Sequence, residues 1–92
     1  MTKKTELSRE WFVYMMLCAD DTLYTGVTTD PQRREQEHNS ATKAARYTRA
    51  RQPVSLVYSE VSESRSSACK REAELKKLSR LQKNALIAEQ RS

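Results

Sequence analysis

Two tyrosines and the chain's only glycine stand close enough in kind to suggest proton chemistry. Tyr24 and Gly26 lie in the run TLYTGVT, and Tyr14 lies earlier in WFVYMMLC. A phenol can give or take a proton, although its ordinary pKa of about 10 makes it a poor base unaided. A glycine inside a strand marks either a bulge or a place where another group approaches the backbone closely. If the two segments pair with Tyr14 opposite Gly26, both tyrosines share one face of the hairpin. A slip of one residue separates them, and the sequence leaves that register open.

Arg34 and His38 are spaced to share one face of a helix. Their plain reading is a solvated polar face. A guanidinium can also clamp a phosphate with two hydrogen bonds, and an imidazole can add a third. Glu72 borders an apolar stripe, where its carboxylate needs either a cation or an ion pair with Lys76. Glu74 borders the same stripe, so periodicity does not choose between them. Between these groups runs SATKAARYTRARQ, a connector with no acidic residue. Its Lys43, Arg46, Arg49 and Arg51 suit contacts to phosphates, which give affinity without sequence information. A merely soluble loop is the bland alternative.

The elements that must position these residues follow from local patterns. Trp11 to Cys18 is an unbroken apolar and aromatic run, short enough for a buried strand. Ala19-Asp20-Asp21 supplies a turn, and Thr22 to Thr28 a second strand, making a hairpin. Asp30 and Pro31 open a helix that has no aliphatic residue between Gln32 and Asn39. Such a helix needs an unusual reason to sit against a fold. Pro53 opens a third strand, in which Val54, Leu56 and Tyr58 alternate with Ser55, Val57 and Ser59. From Ala68 to about Ala88 the spacing of Ala68, Leu75, Leu78, Leu81, Ala85 and Leu86 predicts one helix with one apolar stripe. The order is β-β-α-β-α, an α/β (α+β) chain.

The chain's 92 residues fit one domain, with its core over about residues 11–88. No apolar stretch approaches the roughly 20 residues of a membrane span. The leading MTKKTELSRE has no apolar run after it that would make a signal peptide, so a cytoplasmic protein away from membranes is expected. The lone histidine and the two distant cysteines, Cys18 and Cys69, argue against structural zinc and disulfides. A net charge of +5 favours an anionic partner, with nucleic acid the first candidate.

Taken together, VYM at 13–15, YTG at 24–26 and the stretch YTGVTTDPQRREQEH resemble the paired signature and first helix of the GIY-YIG nuclease family. ACKREAELKKLSRLQK resembles its later helix. The likeness is greatest to short bacterial stand-alone members of the UvrC-like group. The resemblance implies a small three-stranded antiparallel sheet flanked by helices, and a Mg2+-dependent (or Mn2+-dependent) endonuclease acting on DNA. It implies Tyr14 as general base or water-positioning group, Tyr24 at the scissile phosphate, and Arg34 on its developing charge. It further implies Glu72, rather than Glu74, as the sole protein ligand of the metal, and His38 as support for the phosphate or leaving group. Structure-selective or non-specific cutting, in DNA repair or recombination, suits a chain with little surface for reading bases. A separate partner protein for targeting is compatible with so small a chain. The alternatives are a DNA-binding module of weak or lost activity, and an interaction protein whose basic helices dock on an acidic partner.

Overall fold

The computed structural model describes residues 10–91, so the leading segment read above for a signal peptide lies outside the described residues. Strands β1 (Trp11–Leu17), β2 (Leu23–Thr28) and β3 (Ser55–Ser62) form one antiparallel sheet in the order β2-β1-β3. Helices α1 (Pro31–His38), α2 (Arg46–Arg49), α3 (Arg65–Lys76) and α4 (Arg80–Arg91) accompany it. The three-stranded α+β architecture is therefore present. Its chain order is β-β-α-α-β-α-α, which corrects the simpler β-β-α-β-α expected from the sequence.

The central strand explains its own composition. β1 is covered on both faces, so its apolar run does not alternate with polar residues. Val13 and Met15 pack with Tyr58, Ala68 and Leu75 on one face. Tyr14 and Met16 pack with Cys18 and Val54 on the other. Between β1 and β2, Asp20 Oδ1 accepts from the Thr22 amide (3.2 Å) and hydroxyl (2.6 Å). Asp21 takes φ 68°, a left-handed turn conformation that aspartate tolerates.

β3 departs from strict alternation. Met15 pairs with Tyr58 but Met16 pairs with Leu56, which leaves Val57 as the extra residue of a bulge. Val54 and Leu56 thus face the Tyr14 side, whereas Val57 and Tyr58 turn to the α3 side. Tyr58 then anchors α3: its hydroxyl donates to Glu60 (2.5 Å), and Arg71 Nε donates to the same carboxylate (2.9 Å).

The single helix expected over 68–88 is two helices. Ser79 ends the run by capping: its hydroxyl accepts from the Gln82 amide (3.1 Å), and Gln82 Oε1 accepts from the Ser79 amide (2.9 Å). This reciprocal box starts α4 in a new phase. Leu81, placed on the stripe by the sequence, is consequently 78% exposed, whereas Leu78 and Leu86 pack against the core as the stripe predicts, joined by Ile87.

The polar helix α1 also has its reason. It docks by hydrogen bonds rather than by aliphatic burial. Glu35 Oε2 accepts from the Leu56 amide (2.9 Å) on the edge strand. The Asn39 side chain accepts from the Val54 amide (2.7 Å) and donates to the Val54 carbonyl (3.0 Å). Gln52 Nε2 donates to the His38 and Ser40 carbonyls (2.7 and 2.8 Å). An edge that would otherwise invite another strand is thereby covered.

Core and cap should separate in their costs. Leu75→Ala, at a fully buried position, should destabilise the chain by about 2–5 kcal/mol. Ser79→Ala should cost about 1 kcal/mol. Urea unfolding of the two variants checks the contrast.

Candidate active site

The hairpin register decides whether the two tyrosines meet. Tyr14 pairs with Gly26, and Tyr24 pairs with Met16, so Tyr14, Tyr24 and Gly26 share one face. The Tyr14 phenol lies directly across the Gly26 backbone. A Cβ at Gly26 would stand 2.5 Å from the Tyr14 hydroxyl oxygen and 2.7 Å from its ring carbon Cζ. Glycine is thus present for close approach, not for a left-handed turn. The two phenol rings lie 6.3 Å apart, tilted by 43°.

α1 delivers the next two groups. Asp30 caps it by accepting from the Arg33 amide (3.1 Å), and Pro31 occupies its first turn. His38, at its end, is fully buried beneath the tyrosines. The Tyr14 hydroxyl and His38 Nε2 are hydrogen-bonded at 2.8 Å, and the Tyr24 ring meets the imidazole edge-on at 5.1 Å. On its far side, His38 Nδ1 bonds the Thr48 hydroxyl at 2.7 Å. With both nitrogens engaged and no exposed surface, His38 can reach a phosphate only through Tyr14.

Arg34 lies one turn before His38. Its Nη1 donates to Glu37 (2.9 Å) and to the Lys43 carbonyl (3.2 Å). Burial weakens the Arg34 cation, but Glu37 and the Tyr14 oxygen more than offset this, so it stays a guanidinium. Glu72, on α3, is 23% exposed in its side chain and paired with Lys76 at 3.1 Å. Glu74, its rival, is 65% exposed and held by Arg71. The geometry therefore distinguishes two carboxylates that periodicity could not.

The electrostatics converge on Tyr14. Its pKa is pushed up to about 12, first by burial and then by neighbouring Tyr24. Arg34 pulls it down, and Glu72 pushes it up with the weakest of these influences. Tyr14, Tyr24 and His38 are in mutual ring contact, and Arg34 and, most weakly, Glu72 act on Tyr14 through their charges. At neutral pH Tyr14 is a neutral phenol, not a standing phenolate. His38 is pushed down to about 4, chiefly by burial and then by Arg34, so it is a neutral imidazole that can accept a proton.

The basic connector divides by role. Lys43, Arg46 and Arg49 are exposed, with Arg49 also donating to the Ala44 carbonyl (3.2 Å). Arg51 is committed to the protein: it donates to Asp20 (2.9 Å) and the Tyr47 carbonyl (2.9 Å), and lies 3.9 Å over the Tyr47 ring. Tyr47 in turn stacks on Tyr24 at 5.7 Å. Sequence reasoning missed Tyr47 and Thr48 as parts of the site. Adjacent residues on the one-turn α2, they brace Tyr24 and His38 respectively.

A family model for the GIY-YIG catalytic domain matches residues 10–85, and the chain belongs to this family, a nuclease fold. Within it, the chain is similar to short stand-alone members called UPF0213 proteins. It is 57% identical over 77 residues to one from Desulfotalea psychrophila, covering 84% of this chain and 70% of that one. It is 48% identical over 84 residues to one from Natronomonas pharaonis, covering 91% and 98%. The solution NMR structure of a UPF0213 protein from Bacillus halodurans matches with TM-score 0.54 and 40% identity, over 86% of this chain and 83% of that chain. The solution NMR structure of a protein from E. faecalis matches with TM-score 0.58 and 44% identity, over 87% and 84%. Among the described residues no helix is long and apolar enough to cross a membrane.

Two measurements test this geometry. His38 is the single histidine, so imidazole NMR should show one ring titrating near 4 rather than 6.5. Its folded-state pKa lies below the unfolded value, so the unfolded chain takes the proton that the folded chain refuses. Stability should then rise with pH between about 4 and 6.5, and His38 adds no further change below that window. Separately, Gly26→Ala should expel the Tyr14 ring and cost about 1–3 kcal/mol of stability. Thermal unfolding and the His38 ring shifts together check it.

Proposed function

We propose that this chain is a divalent-metal-dependent DNA endonuclease that hydrolyses phosphodiester bonds. The observation that carries the reading is the Tyr14 hydroxyl, seated over Gly26 and bonded to His38, with Tyr24, Arg34 and Glu72 acting on it. Hydrolysis needs an activated water, a clamp on the phosphate's growing charge and help for the leaving oxygen. The chain offers a residue for each of the first two.

Tyr14 cannot take a proton from water as a resting phenolate, because burial keeps it protonated. It takes one only as it gives its own to His38 Nε2, leaving the phenol unchanged and the imidazole protonated. The negative charge of an incoming phosphate favours that imidazolium. The water oxygen forms the new bond to phosphorus, the bond to the leaving deoxyribose oxygen breaks, and that oxygen takes a proton from solvent water. Arg34, a half-buried donor, releases Glu37 to hold the non-bridging oxygens, and Tyr24 orients the phosphate. Lys43, Arg46 and Arg49 supply backbone contacts, whereas Arg51 acts by holding Tyr47 in place.

The residues present fit a hydrated hard cation. Among the described residues no three His, Cys, Asp or Glu side chains gather to cage an ion. A single carboxylate, Glu72, suits Mg2+ or Mn2+, which keep most of their waters. When bound, the ion supplies charge neutralisation at the phosphate and acidifies water. Lys76 is largely exposed and can leave Glu72 to it.

A cytoplasmic enzyme that selects DNA by structure, in repair or recombination, is the physiological setting that fits a site without a base-reading surface. The test uses flap, junction, duplex and single-stranded DNA with Mg2+ or Mn2+. Glu72→Ala and Arg34→Ala should each abolish cutting, and Glu72→Ala should still bind DNA. Binding that survives chelator with no cutting of any substrate by the wild type would leave only a DNA-binding module. No binding at low salt would point to an acidic protein partner.

A further inference from the structure

The Thr48 hydroxyl is fully buried and stands between two groups of fixed character. On one side is the Ala45 carbonyl, an acceptor only, at 3.1 Å from Thr48 Oγ1. On the other is His38 Nδ1 at 2.7 Å. A hydroxyl has one proton to give. Given to Ala45, it leaves Thr48 only a lone pair for the imidazole, so Nδ1 must carry the hydrogen. The opposite nitrogen, Nε2, is then bare and can only accept. Tyr14 consequently donates to it, at 2.8 Å.

The other end of the chain of bonds agrees. The Arg34 guanidinium lowers the Tyr14 pKa, and it has nothing but protons to offer the phenol oxygen. If His38 Nε2 also carried a proton, the Tyr14 oxygen would face donors on both sides. With the Thr48 proton given to Ala45, the bonds from Tyr14 through His38 to Ala45 all run one way.

We infer that Thr48 is a positioning residue that fixes the tautomer of His38, and with it the direction in which the Tyr14 proton moves. Thr48 touches neither substrate nor reacting atoms. It acts through His38, as a hydrogen-bonded neighbour commonly sets which imidazole nitrogen is bare. The catalytic consequence rests on the nuclease reading above, whereas the tautomer does not.

The experiment separates the two. The full chain is labelled at its single histidine, and the imidazole nitrogens are read by NMR at neutral pH in wild type, Thr48→Val and Thr48→Ser. Wild type should show Nδ1 protonated and Nε2 bare. Thr48→Val should lose that preference, and Thr48→Ser should restore it. In single-turnover cleavage, Thr48→Val should lose roughly 10–100-fold in rate with unchanged DNA affinity, the scale typical of neighbours that orient a functional imidazole. Thr48→Ser should recover most of it. A wild-type spectrum with Nε2 protonated overturns the inference outright, even if the valine variant fails to fold. An unchanged tautomer in Thr48→Val overturns it as well. Altered tautomer with an unaltered rate removes the catalytic role. If no variant cuts DNA, the nuclease reading fails, and the spectra still decide the tautomer.

Discussion

A phenol laid flat across a neighbouring strand leaves no room for a side chain beneath it. That constraint, Tyr14 over Gly26, organises the rest of the molecule. It requires the hairpin register that pairs the two residues, which in turn puts Tyr24 beside Tyr14. With the ring lying down, its hydroxyl points along the sheet toward α1, where only a buried acceptor can satisfy it. His38 Nε2 is the partner it meets there. A buried imidazole then needs a partner for its second nitrogen, and Thr48 supplies one. One missing methyl group therefore propagates through three side chains to a one-turn helix.

The cost of burying so many polar groups explains the unusual composition around them. Apart from the buried Pro31 ring, α1 brings no apolar side chain, yet it must stay in register with the sheet if His38 is to meet Tyr14. Directional bonds from Glu35 and Asn39 to the backbone of β3 achieve this better than a greasy contact would, because they fix rotation and translation together. The opposite face of the sheet carries the burden of stability instead. There Leu75, Ala68, Met15 and Val13 form the ordinary core. The two sides differ: the α3 side is apolar packing, whereas the side of the site adds hydrogen-bonded alignment to its own cluster of Met16, Cys18 and Val54.

What the sequence made legible followed from the strength of local signals. The hairpin, the cap at Asp30 and the third strand were readable because turn chemistry and apolar runs mark them directly. Glu72 was not separable from Glu74 by spacing, since both border one stripe, and only the tie of Arg71 to Glu74 and Glu60 draws them apart. The Val57 bulge was invisible because an extra residue in a strand has no composition of its own. The break at Ser79 was readable in principle: Ser79 and Gln82 stand at capping-box spacing, but the surrounding helix formers outweigh them. Thr48 gave no signal at all, and Tyr47 only that it stands among the connector's cations. Their roles arise from where α2 folds, and a threonine in a basic connector looks like any other.

The resting arrangement of charges adds a last step. Arg34 is held by Glu37 and Glu72 by Lys76, each from within its own helix. Such local, partly solvated pairs contribute only about 0.2–1 kcal/mol. They keep each group extended and oriented while costing little to break. A phosphate offers Arg34 a doubly charge-assisted partner, and a divalent cation offers Glu72 a stronger one. Under the proposed function, Arg34 and Glu72 would each exchange a weak partner for a stronger one. The neutral pair at the centre, phenol and imidazole, has no such exchange available, because its bonds are buried and directional. The proposed reaction would thus use the rigid buried bonds for its proton and the partly exposed charges for its substrate.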